Sequence, residues 1–305
     1  MKALVTGAGG QLGSDMMDEL AGRGWETFGS VRTAEGMAAP ASCSLVELDI
    51  RDREAVHAAI QTIRPDAVVH CAAWTAVDAA EAEENREAVR AVNSLGTRYV
   101  AESCAQLGCK LVYISTDYVF DGKATGLRQA DCEEYGPLNH YGRTKLEGEL
   151  AVRELTDRYF ILRTQWVFGS KGGNFVKTML RLGEGRESLR VVNDQYGSPS
   201  YTRDLARLIA DMCLTEKYGC YNATNEGEYI SWYDFAKEIF RQAGRDIRVV
   251  PVTTEEYGIS QASRPLNSRL DRSKLAEMGF KALPDWHNAL ERYLNEAVNI
   301  SSQKV

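Results

Sequence analysis

The chain is poor in histidine and has no long hydrophobic run. Only four of its 305 residues are histidines, namely His57, His70, His140 and His287. Their spacing does not match that of metal ligands, and no apolar stretch approaches the length of a membrane span. The chain also begins directly with a strand pattern and shows no signal peptide. We therefore expect no metal, no membrane partner and a cytoplasmic location.

The charge and the cysteines argue against further classes of protein. The formal net charge of −7 lacks the basic excess typical of a nucleic-acid-binding protein, so we expect no nucleic-acid partner. None of the seven cysteines forms a Cys-x-x-Cys pair, and Cys71, Cys104 and Cys109 lie in apolar patterns. We interpret these three as small buried hydrophobic residues in a reducing compartment. The length allows one large domain or two modest ones.

Short β-branched runs alternate with helical patterns in the first half of the chain. The predicted strands are 2–6, 26–30, 44–48, 67–71, 110–115 and 159–163, and the predicted helices are 11–23, 53–63, 85–107 and 141–155. A strand such as 67–71 is almost continuously apolar, as expected when helices cover both faces of a parallel sheet. The pattern predicts an α/β fold with a doubly wound, Rossmann-type parallel sheet that binds ligands at the carboxyl ends of its strands.

The regular alternation ends after about residue 163. The later predicted elements are helices near 175–182, 203–214, 232–243 and 285–299 and a strand at 189–193. We predict a Rossmann domain over residues 1–165, which also receives elements from about 189–222. A smaller α+β substrate-binding lobe is expected mainly over 166–300, interleaved with the first domain. Residues 301–305 are predicted to form a disordered tail.

A glycine-rich turn follows the first predicted strand and opens the first predicted helix. Gly7, Gly10 and Gly13 have the spacing G-x-x-G-x-x-G, with Gln11 and Leu12 inside the turn. Without side chains the backbone can approach a pyrophosphate, whose charge is met by amides at the helix N-terminus. A purely structural turn is the alternative, but the strand–turn–helix context favours a dinucleotide.

The end of the second predicted strand indicates which dinucleotide is bound. Many NAD-specific domains carry an acidic residue there, whereas this chain has Ser30 and Arg32. A serine with an arginine can accommodate a ribose 2′-phosphate, so the pair favours NADPH, with NADH as the alternative.

The next two strand ends extend the predicted cofactor site. After the third strand, Asp49 can accept a hydrogen bond from the adenine and Ile50 can pack against it, although Asp49 can equally cap the next helix. After the fourth strand, the small residues Cys71, Ala72 and Ala73 allow the ribose and phosphates to lie close to the backbone.

Tyr141 and Lys145 form the most informative pair in the sequence. They lie four residues apart in a predicted helix, so that both side chains occupy one face. The lysine charge favours the phenolate, and such a pair suits acid–base work on a carbonyl or an alcohol. Tyr-x-x-x-Lys also occurs by chance in solvated helices. Here it accompanies the glycine turn and the hydroxyl-bearing strand end that contains Thr116 and Asp117.

Together these motifs resemble the extended short-chain dehydrogenase/reductase superfamily and, within it, the dTDP-4-dehydrorhamnose reductases. The strings that carry the closer resemblance are residues 10–13, 72–78, 115–122, 163–168, 193–199 and 264–270. Any one string is unspecific, but six in unbroken order are strongly specific. The resemblance implies NADPH-dependent reduction of a dTDP-linked 4-keto-6-deoxyhexose to dTDP-L-rhamnose, and a homodimer.

The resemblance also implies roles for individual residues. Tyr141 protonates the keto oxygen and also contacts the cofactor. Lys145 holds the nicotinamide ribose and assists Tyr141, and Thr116 donates a hydrogen bond to the carbonyl oxygen. The residues implied to bind the sugar nucleotide, with Thr116, are Asp117, Trp166, Asn193, Gln195 and Arg264. The alternatives are that Asp117 caps a turn, that Trp166 belongs to the core, and that Arg264 forms an ion pair between the lobes.

Two further functions and one exclusion follow from the same comparison. Sugar-nucleotide dehydratases carry a glutamate base directly after the aspartate, whereas this chain has Tyr118, a poor base at neutral pH. Dehydratase chemistry is therefore not expected. The open alternatives are a 4-ketoreductase for another sugar nucleotide and a non-catalytic NADP-binding regulatory subunit that resembles the β subunit of methionine adenosyltransferase.

Overall fold

The computed structural model describes residues 1–36 and 39–302. The strands are β1 (Lys2–Thr6), β2 (Glu26–Val31), β3 (Cys43–Glu47), β4 (Ala67–His70), β5 (Lys110–Thr116), β6 (Tyr159–Thr164), β7 (Val167–Phe168), β8 (Ser188–Val192), β9 (Tyr196–Gly197), β10 (Ser200–Tyr201), β11 (Gly219–Asn222), β12 (Ile230–Ser231) and β13 (Arg248–Val252). The helices are α1 (Gln11–Gly22), α2 (Arg53–Ile63), α3 (Glu83–Arg90), α4 (Thr97–Leu107), α5 (His140–Leu155), α6 (Phe175–Leu182), α7 (Thr202–Cys213), α8 (Trp232–Gln242), α9 (Thr254–Tyr257), α10 (Ser273–Glu277) and α11 (Trp286–Ser302). Short 3₁₀-helices lie at Ala79–Glu81 and Asp117–Val119, and a π-helix at Ala91–Gly96 joins α3 to α4.

Seven of these strands form one sheet, in the order β11-β6-β5-β4-β1-β2-β3. All neighbouring strands in it are parallel. From β1 the chain adds β2 and β3 on one side and then returns to add β4 on the other. The carboxyl ends of these strands meet at one edge, because Thr6 pairs with both Ser30 and His70. A reversal of this kind creates the ligand crevice of an open α/β sheet.

Helices cover both faces of the sheet. On one face α1 and α7 pack together in an apolar cluster that includes Val69 of the central strand β4. On the other face α2 and α4 pack in a second cluster that includes its neighbour Val68. Both valines are fully buried because successive side chains of a strand point to opposite, equally covered faces. The predicted doubly wound, Rossmann-type sheet is confirmed.

The second lobe has an apolar core of its own. It packs α6, α8 and α11 around Phe235, Trp286 and Tyr293. Short strand pairs complete it: β8 with β13, β7 with β10, and β9 with β12. The smaller α+β lobe is therefore present. Within the described ranges, no helix combines the length and apolar character needed to cross a membrane.

The predicted elements differ from the structure in several places. The predicted helix 85–107 is divided by the π-helix, and the short strands β11 and β13 were not predicted. Strand β11 joins the large sheet beside β6, and α7 packs on α1, whereas β8 pairs within the second lobe. The last helix is described as far as Ser302, and residues 303–305 of the predicted tail lie outside the described residues.

Candidate active site

The glycine turn connects β1 to α1 in a conformation that side chains would block. Gly7 has a positive φ of 66°, and a Cβ there would lie 2.8 Å from the backbone of Ala72. A Cβ on Gly13 would lie only 2.1 Å from the carbonyl oxygen of Gly7. The turn is tied to β2, since the amide of Ala8 donates to the carbonyl of Ser30 at 3.0 Å. These glycines allow the close approach of backbone that a pyrophosphate site requires.

A cavity of about 730 Å³ opens beside this turn. The residues predicted for the cofactor that line it are Gly7, Gly10, Ser30, Arg32, Asp49, Ile50, Cys71, Ala72 and Ala73. Five predicted residues are not in its lining. Leu12 and Gly13 are buried, Gln11 accepts a hydrogen bond from Asn174 Nδ2 at 3.1 Å, and Tyr141 and Lys145 lie on α5. Lining residues that the sequence analysis did not assign are Gly9, Val31, Thr33, Leu48, Arg51, Trp74 and Val92.

Arg32 and Asp49 both line the cavity, but their surroundings differ. The Arg32 side chain is exposed, whereas Asp49 binds Arg51, with Arg51 Nη2 at 2.5 Å from Asp49 Oδ2. Hydrogen bonds from Arg51 lower the pKa of Asp49 below its ordinary value. The alternative role of Asp49 as a helix cap is wrong, because the cap of α2 is Asp52, whose Oδ1 accepts from the amide of Ala55 at 3.0 Å.

Helix α5 presents Tyr141 and Lys145 near the end of β5. The helix is capped by Asn139, whose Oδ1 accepts from the amide of Gly142 at 2.7 Å. The side chain of Lys145 is buried, and its Nζ donates to the carbonyl oxygen of Ile114 at 2.6 Å. Nζ also lies 4.1 Å from the ring centroid of Tyr113. The ammonium group is thus held by strand β5.

From the sequence we expect the charge of Lys145 to favour the phenolate of Tyr141, but in the structure the pKa of this phenol is raised. Burial raises the pKa of the Tyr141 phenol above its ordinary value, the Thr116 hydroxyl opposes this by hydrogen bonding, and Asp117 raises it further. Burial also lowers the pKa of Lys145 to about 7. Tyr141 is therefore a protonated phenol at neutral pH, suited to donate a proton.

The end of β5 places two more polar groups beside Tyr141. Thr116 Oγ1 donates to Asp117 Oδ1 at 3.0 Å and accepts from the amide of Tyr118 at 3.2 Å. The other carboxylate oxygen of Asp117 accepts from Ser268 Oγ at 2.5 Å. Burial raises the pKa of Asp117 to about 7, although the Ser268 and Thr116 hydroxyls lower it in part. Asp117 thus connects the first domain to a loop of the second lobe.

A fully buried ion pair lies behind Lys145 and was not assigned from the sequence. Arg163 Nη2 lies 2.8 Å from Glu149 Oε2, and both side chains are inaccessible to solvent. Ser115 Oγ donates to Glu149 Oε1 at 2.5 Å, which ties α5 to the strand end that carries Thr116. Arg163 begins the string 163–168 that carries part of the family resemblance. Its partner Glu149, one helical turn after Lys145, could be found only from the fold.

The predicted substrate residues of the second lobe lie in different surroundings. Trp166 is half-buried, has a positive φ of 48° and stacks on Trp232 with ring centroids 3.7 Å apart. The Gln195 side chain is buried and donates from Nε2 to Thr254 Oγ1 at 3.0 Å. The backbone amide of Asn193 donates to the backbone carbonyl oxygen of Val252 at 2.9 Å. The left-handed backbone of Trp166 is unusual for so large a residue and marks a constrained position.

Arg264 forms the ion pair between the lobes that was given as its alternative role. Its Nη2 lies 2.6 Å from Asp78 Oδ2, and its Nη1 donates to Asp78 Oδ1 at 3.1 Å. The side chain of Arg264 is 19% exposed and that of Asp78 is 46% exposed. The pair therefore joins the segment after β4 to the loop before α10.

One group of three side chains in the described part of the chain has the composition of a metal site. Ligand atoms of Glu228, Asp285 and His287 lie within 4.8 Å of one another. None of the three lines the large cavity, and the carboxylates are exposed. Glu228 lies far from the other two in sequence, so residue spacing could not bring the group to notice.

Comparison with known proteins identifies the family. The chain matches the family described as "RmlD substrate binding domain" over residues 1–299. It belongs to the RmlD family. The match spans both lobes, and the resemblance predicted from the six strings is confirmed.

Relatives of this RmlD-family chain are similar over almost its whole length. The dTDP-4-dehydrorhamnose reductase of Aggregatibacter actinomycetemcomitans is 39% identical over 304 residues, which cover 95% of this chain and 97% of the relative. A dTDP-4-keto-6-deoxy-D-glucose reductase of Streptomyces niveus is 39% identical and is covered to 94%, as is this chain. The crystal structure of Bacillus anthracis dTDP-4-dehydrorhamnose reductase in complex with NADP is 40% identical. It superposes with a TM-score of 0.88, covering 97% of this chain and 99% of that one.

Proposed function

We propose that this chain catalyses the NADPH-dependent reduction of the 4-keto group of dTDP-4-dehydro-L-rhamnose to dTDP-L-rhamnose. The observation that carries the proposal is the position of a protonated phenol, Tyr141, beside the Thr116 hydroxyl at the carboxyl edge of a Rossmann-type sheet. The dinucleotide-sized cavity opens at the same edge. The reductase names of the relatives give the same reaction class.

The residues at the cavity fit a dinucleotide phosphate. Gly7 and Gly13 leave space that a Cβ would fill, so the backbone amides at the start of α1 can meet a pyrophosphate. Buried Ser30 and exposed Arg32 stand where a ribose 2′-phosphate would be held by charge-assisted hydrogen bonds. The cofactor supplies the hydride when it is bound. The chain itself must orient the ketone, exclude water and provide the proton.

Tyr141 and Thr116 can provide both groups that the carbonyl oxygen needs. The raised pKa of Tyr141 keeps its phenol protonated, so it donates its proton to the oxygen as negative charge develops there. The backbone amide of Tyr118 holds the Thr116 hydroxyl beside the phenol, and the single proton of that hydroxyl turns from Asp117 Oδ1 to the carbonyl oxygen when the ketone binds. Two hydroxyl donors at one oxygen stabilise the alkoxide charge that develops there.

Lys145 acts from the buried side of the same site. Its Nζ is fixed by the carbonyl oxygen of Ile114 and by the Tyr113 ring, and the Glu149 carboxylate one helical turn away favours its charged form. An ammonium group in this place can hydrogen-bond a cofactor ribose and can stabilise Tyr141 after the proton has left. A bound anionic substrate or cofactor would favour its charged form further.

Dehydratase chemistry is not supported by the surroundings of Tyr118. Its ring lies edge-on to Tyr141, with centroids 5.8 Å apart, and burial raises the pKa of its phenol above the ordinary value. A phenol of raised pKa is a poor base at neutral pH. The site therefore contains a proton donor but no carboxylate base directly after Asp117.

A second candidate is a 4-ketoreductase for another dTDP-sugar. The Streptomyces niveus relative named dTDP-4-keto-6-deoxy-D-glucose reductase is as similar as the rhamnose-pathway relatives. The Tyr141, Thr116 and Lys145 set serves either ketone equally well. The regulatory-subunit reading is disfavoured because all three side chains are present. The homodimer and the cytoplasmic location stay predictions.

Consumption of NADPH by the purified protein tests these candidates. We expect turnover with dTDP-4-dehydro-L-rhamnose and much slower turnover with dTDP-4-keto-6-deoxy-D-glucose. A reversed preference would favour the second candidate. Binding of NADPH without turnover of either sugar would contradict the enzymatic proposal and favour the regulatory subunit.

A further inference from the structure

A loop of the second lobe lies against the proposed active site of the first domain. We call residues 261–268 the strap. Asn139, which caps the helix that carries Tyr141, donates from Nδ2 to the carbonyl oxygen of Ser263 at 2.8 Å. Ser268 donates to Asp117, and the side chain of Asn267 donates to the carbonyl oxygen of Gly126 at 3.0 Å. The strap is therefore fastened directly to the residues of the proposed active site.

Asp78 holds the first half of the strap through four hydrogen bonds. Its Oδ1 accepts from the amides of Gln261 and Ala262 at 3.1 and 3.0 Å. Both oxygens also receive the guanidinium of Arg264 in two-pronged geometry. Burial alone would raise the pKa of Asp78, but the bonds from Arg264 and the backbone amides lower it below its ordinary value. The carboxylate thus stays charged at neutral pH.

The ion pair is continuous with the proposed catalytic groups. Arg264 lies beside the Tyr118 phenol and lowers its pKa in part, and Tyr118 packs edge-on against Tyr141. Arg264 Nη1 donates to Asp78 and to the carbonyl oxygen of Ala262, and Nη2 donates to Asp78, so these bonds leave the N–H of Nε and one N–H of Nη2 beside the Tyr118 phenol. The guanidinium therefore retains donor capacity in a fixed orientation next to Tyr118.

We propose that Asp78 is a positioning residue for the sugar nucleotide: it fixes the strap and aims the Arg264 guanidinium at the diphosphate of the substrate. The inference rests on the proposed function, because a diphosphate-linked sugar is the ligand that requires such a group. A planar guanidinium recognises phosphate through paired hydrogen bonds, and orienting it in advance reduces the freedom lost on binding. Asp78 does not line the cofactor cavity, and both its oxygens are taken up by the strap amides and Arg264, so it acts through Arg264.

Kinetics of substituted enzymes test this role. We expect Asp78→Ala to raise the KM for the dTDP-sugar about 10-fold, the effect of losing a hydrogen bond to a charged group, with kcat changed little. The Kd for NADPH and the Tm should stay near wild type. Asp211→Ala is the matched control, because it removes a similarly exposed carboxylate from an ion pair with Arg23, the residue that follows α1. It should leave all four quantities unchanged.

The strap itself provides a readout that does not depend on activity. Asp78→Ala should speed hydrogen exchange at the amides of Gln261 and Ala262 by about 10-fold or more, since both lose their acceptor. Asp78→Asn retains an oxygen for these amides but loses the charge that holds Arg264. We therefore expect Asp78→Asn to keep exchange slow and still to raise the KM.

A double-substitution cycle separates positioning from a general effect on structure. If Asp78 acts through Arg264, Asp78→Ala should add almost nothing to the KM increase caused by Arg264→Ala. Additive increases, or an unchanged KM in Asp78→Ala despite faster exchange, would overturn the proposed role. Absence of turnover in the wild-type protein would overturn the proposed function and the role of Asp78 together. Turnover in the wild-type protein together with an unchanged KM in Asp78→Ala would overturn only the proposed role of Asp78.

Discussion

Tyr141 is the residue on which the proposed chemistry depends most directly. In the proposed mechanism its phenol is the proton donor, and its raised pKa follows from burial and from the nearby Asp117 carboxyl group. Tyr141→Phe should lower kcat by about 10²-fold or more, as expected for loss of a general acid, while the Kd for NADPH changes little. Tyr233→Phe on α8, a phenol of the second lobe, is the control and should match wild type. A kcat of Tyr141→Phe within a few-fold of wild type would remove Tyr141 from this role.

Arg32 is the residue that should set the choice of cofactor. It is exposed at the cavity wall, and only NADPH carries the 2′-phosphate that it would meet. Arg32→Ala should weaken NADPH binding by about 10-fold and leave NADH binding nearly unchanged. Arg51→Ala is a useful control, since Arg51 lines the same cavity but is paired with Asp49. Equal losses for both cofactors in Arg32→Ala would assign Arg32 to the fold or to the pyrophosphate.

Asp117 predicts a pH dependence of stability. Its folded-state pKa of about 7 lies above its ordinary value of 3.8, so the folded protein binds more protons between these values than the unfolded chain does. The contribution of this group to stability is therefore fully present below the ordinary value and is lost as pH rises through 7. Asp117→Asn avoids the loss because its amide remains neutral.

Thermal melts at two pH values check this expectation. The Tm of Asp117→Asn minus that of wild type should be larger at about pH 9 than at about pH 5. The same difference at both values would mean that Asp117 has no raised pKa in the folded protein. A decrease in the difference as pH rises would reverse the sign and contradict the burial argument.

At the scale of elements, the turn between β1 and α1 makes the sharpest prediction. Gly13→Ala would place a Cβ 2.1 Å from the carbonyl oxygen of Gly7, so the turn cannot keep its shape. We expect a lower Tm and no measurable NADPH binding. Gly22→Ala lies in the same helix with open space around it and should be neutral or stabilising by up to about 1 kcal/mol. Wild-type NADPH affinity in Gly13→Ala would show that the turn does not hold the cofactor.

The same scale shows which elements a sequence can reveal. Strand β4 was predictable because Val68 and Val69 are buried on opposite faces, which makes its sequence continuously apolar. Strand β11 was not, because it begins with Gly219 and ends with the polar Asn222, and its place depends on pairing with β6. The π-helix after α3 leaves the helical periodicity almost intact, so the pattern showed one helix where the structure has a division.

The site likewise contains residues that the sequence could reveal and contacts that it could not. Gly7, Gly13, Thr116 and Tyr141 belong to local motifs, so their positions at the sheet edge followed from the order of elements. Arg264 lies 186 residues from its partner Asp78, and Ser268 lies 151 residues from its partner Asp117. No local pattern connects either pair. The direction of the Lys145 side chain could not be predicted from the sequence either. Helical spacing shows that Tyr141 and Lys145 share a face of α5, but it does not identify the carbonyl oxygen of Ile114 as the acceptor of Nζ. The assigned roles of the site residues stay predictions.

At the scale of the whole molecule, the two lobes meet through hydrogen-bonded contacts as well as through the strap. Asn174, the residue that caps α6 in the second lobe, donates from Nδ2 to Gln11 Oε1 at 3.1 Å, beside the glycine turn. This contact and the strap place the second lobe over the carboxyl edge of the sheet. A substrate held by that lobe would therefore lie against the cofactor cavity, which is the arrangement that hydride transfer between two bound molecules requires.

Tracing the transferred hydride tests the central claim most directly. The purified protein would be given dTDP-4-dehydro-L-rhamnose and NADPH that carries deuterium at the transferable position of its nicotinamide ring, and the product would be examined by NMR and mass spectrometry. We predict dTDP-L-rhamnose with one deuterium on the sugar carbon that bore the keto group. We also predict that Tyr141→Phe forms the same product far more slowly. Oxidation of the cofactor without label in the sugar, or binding of both ligands with no product, would contradict the assignment as a sugar-nucleotide 4-ketoreductase.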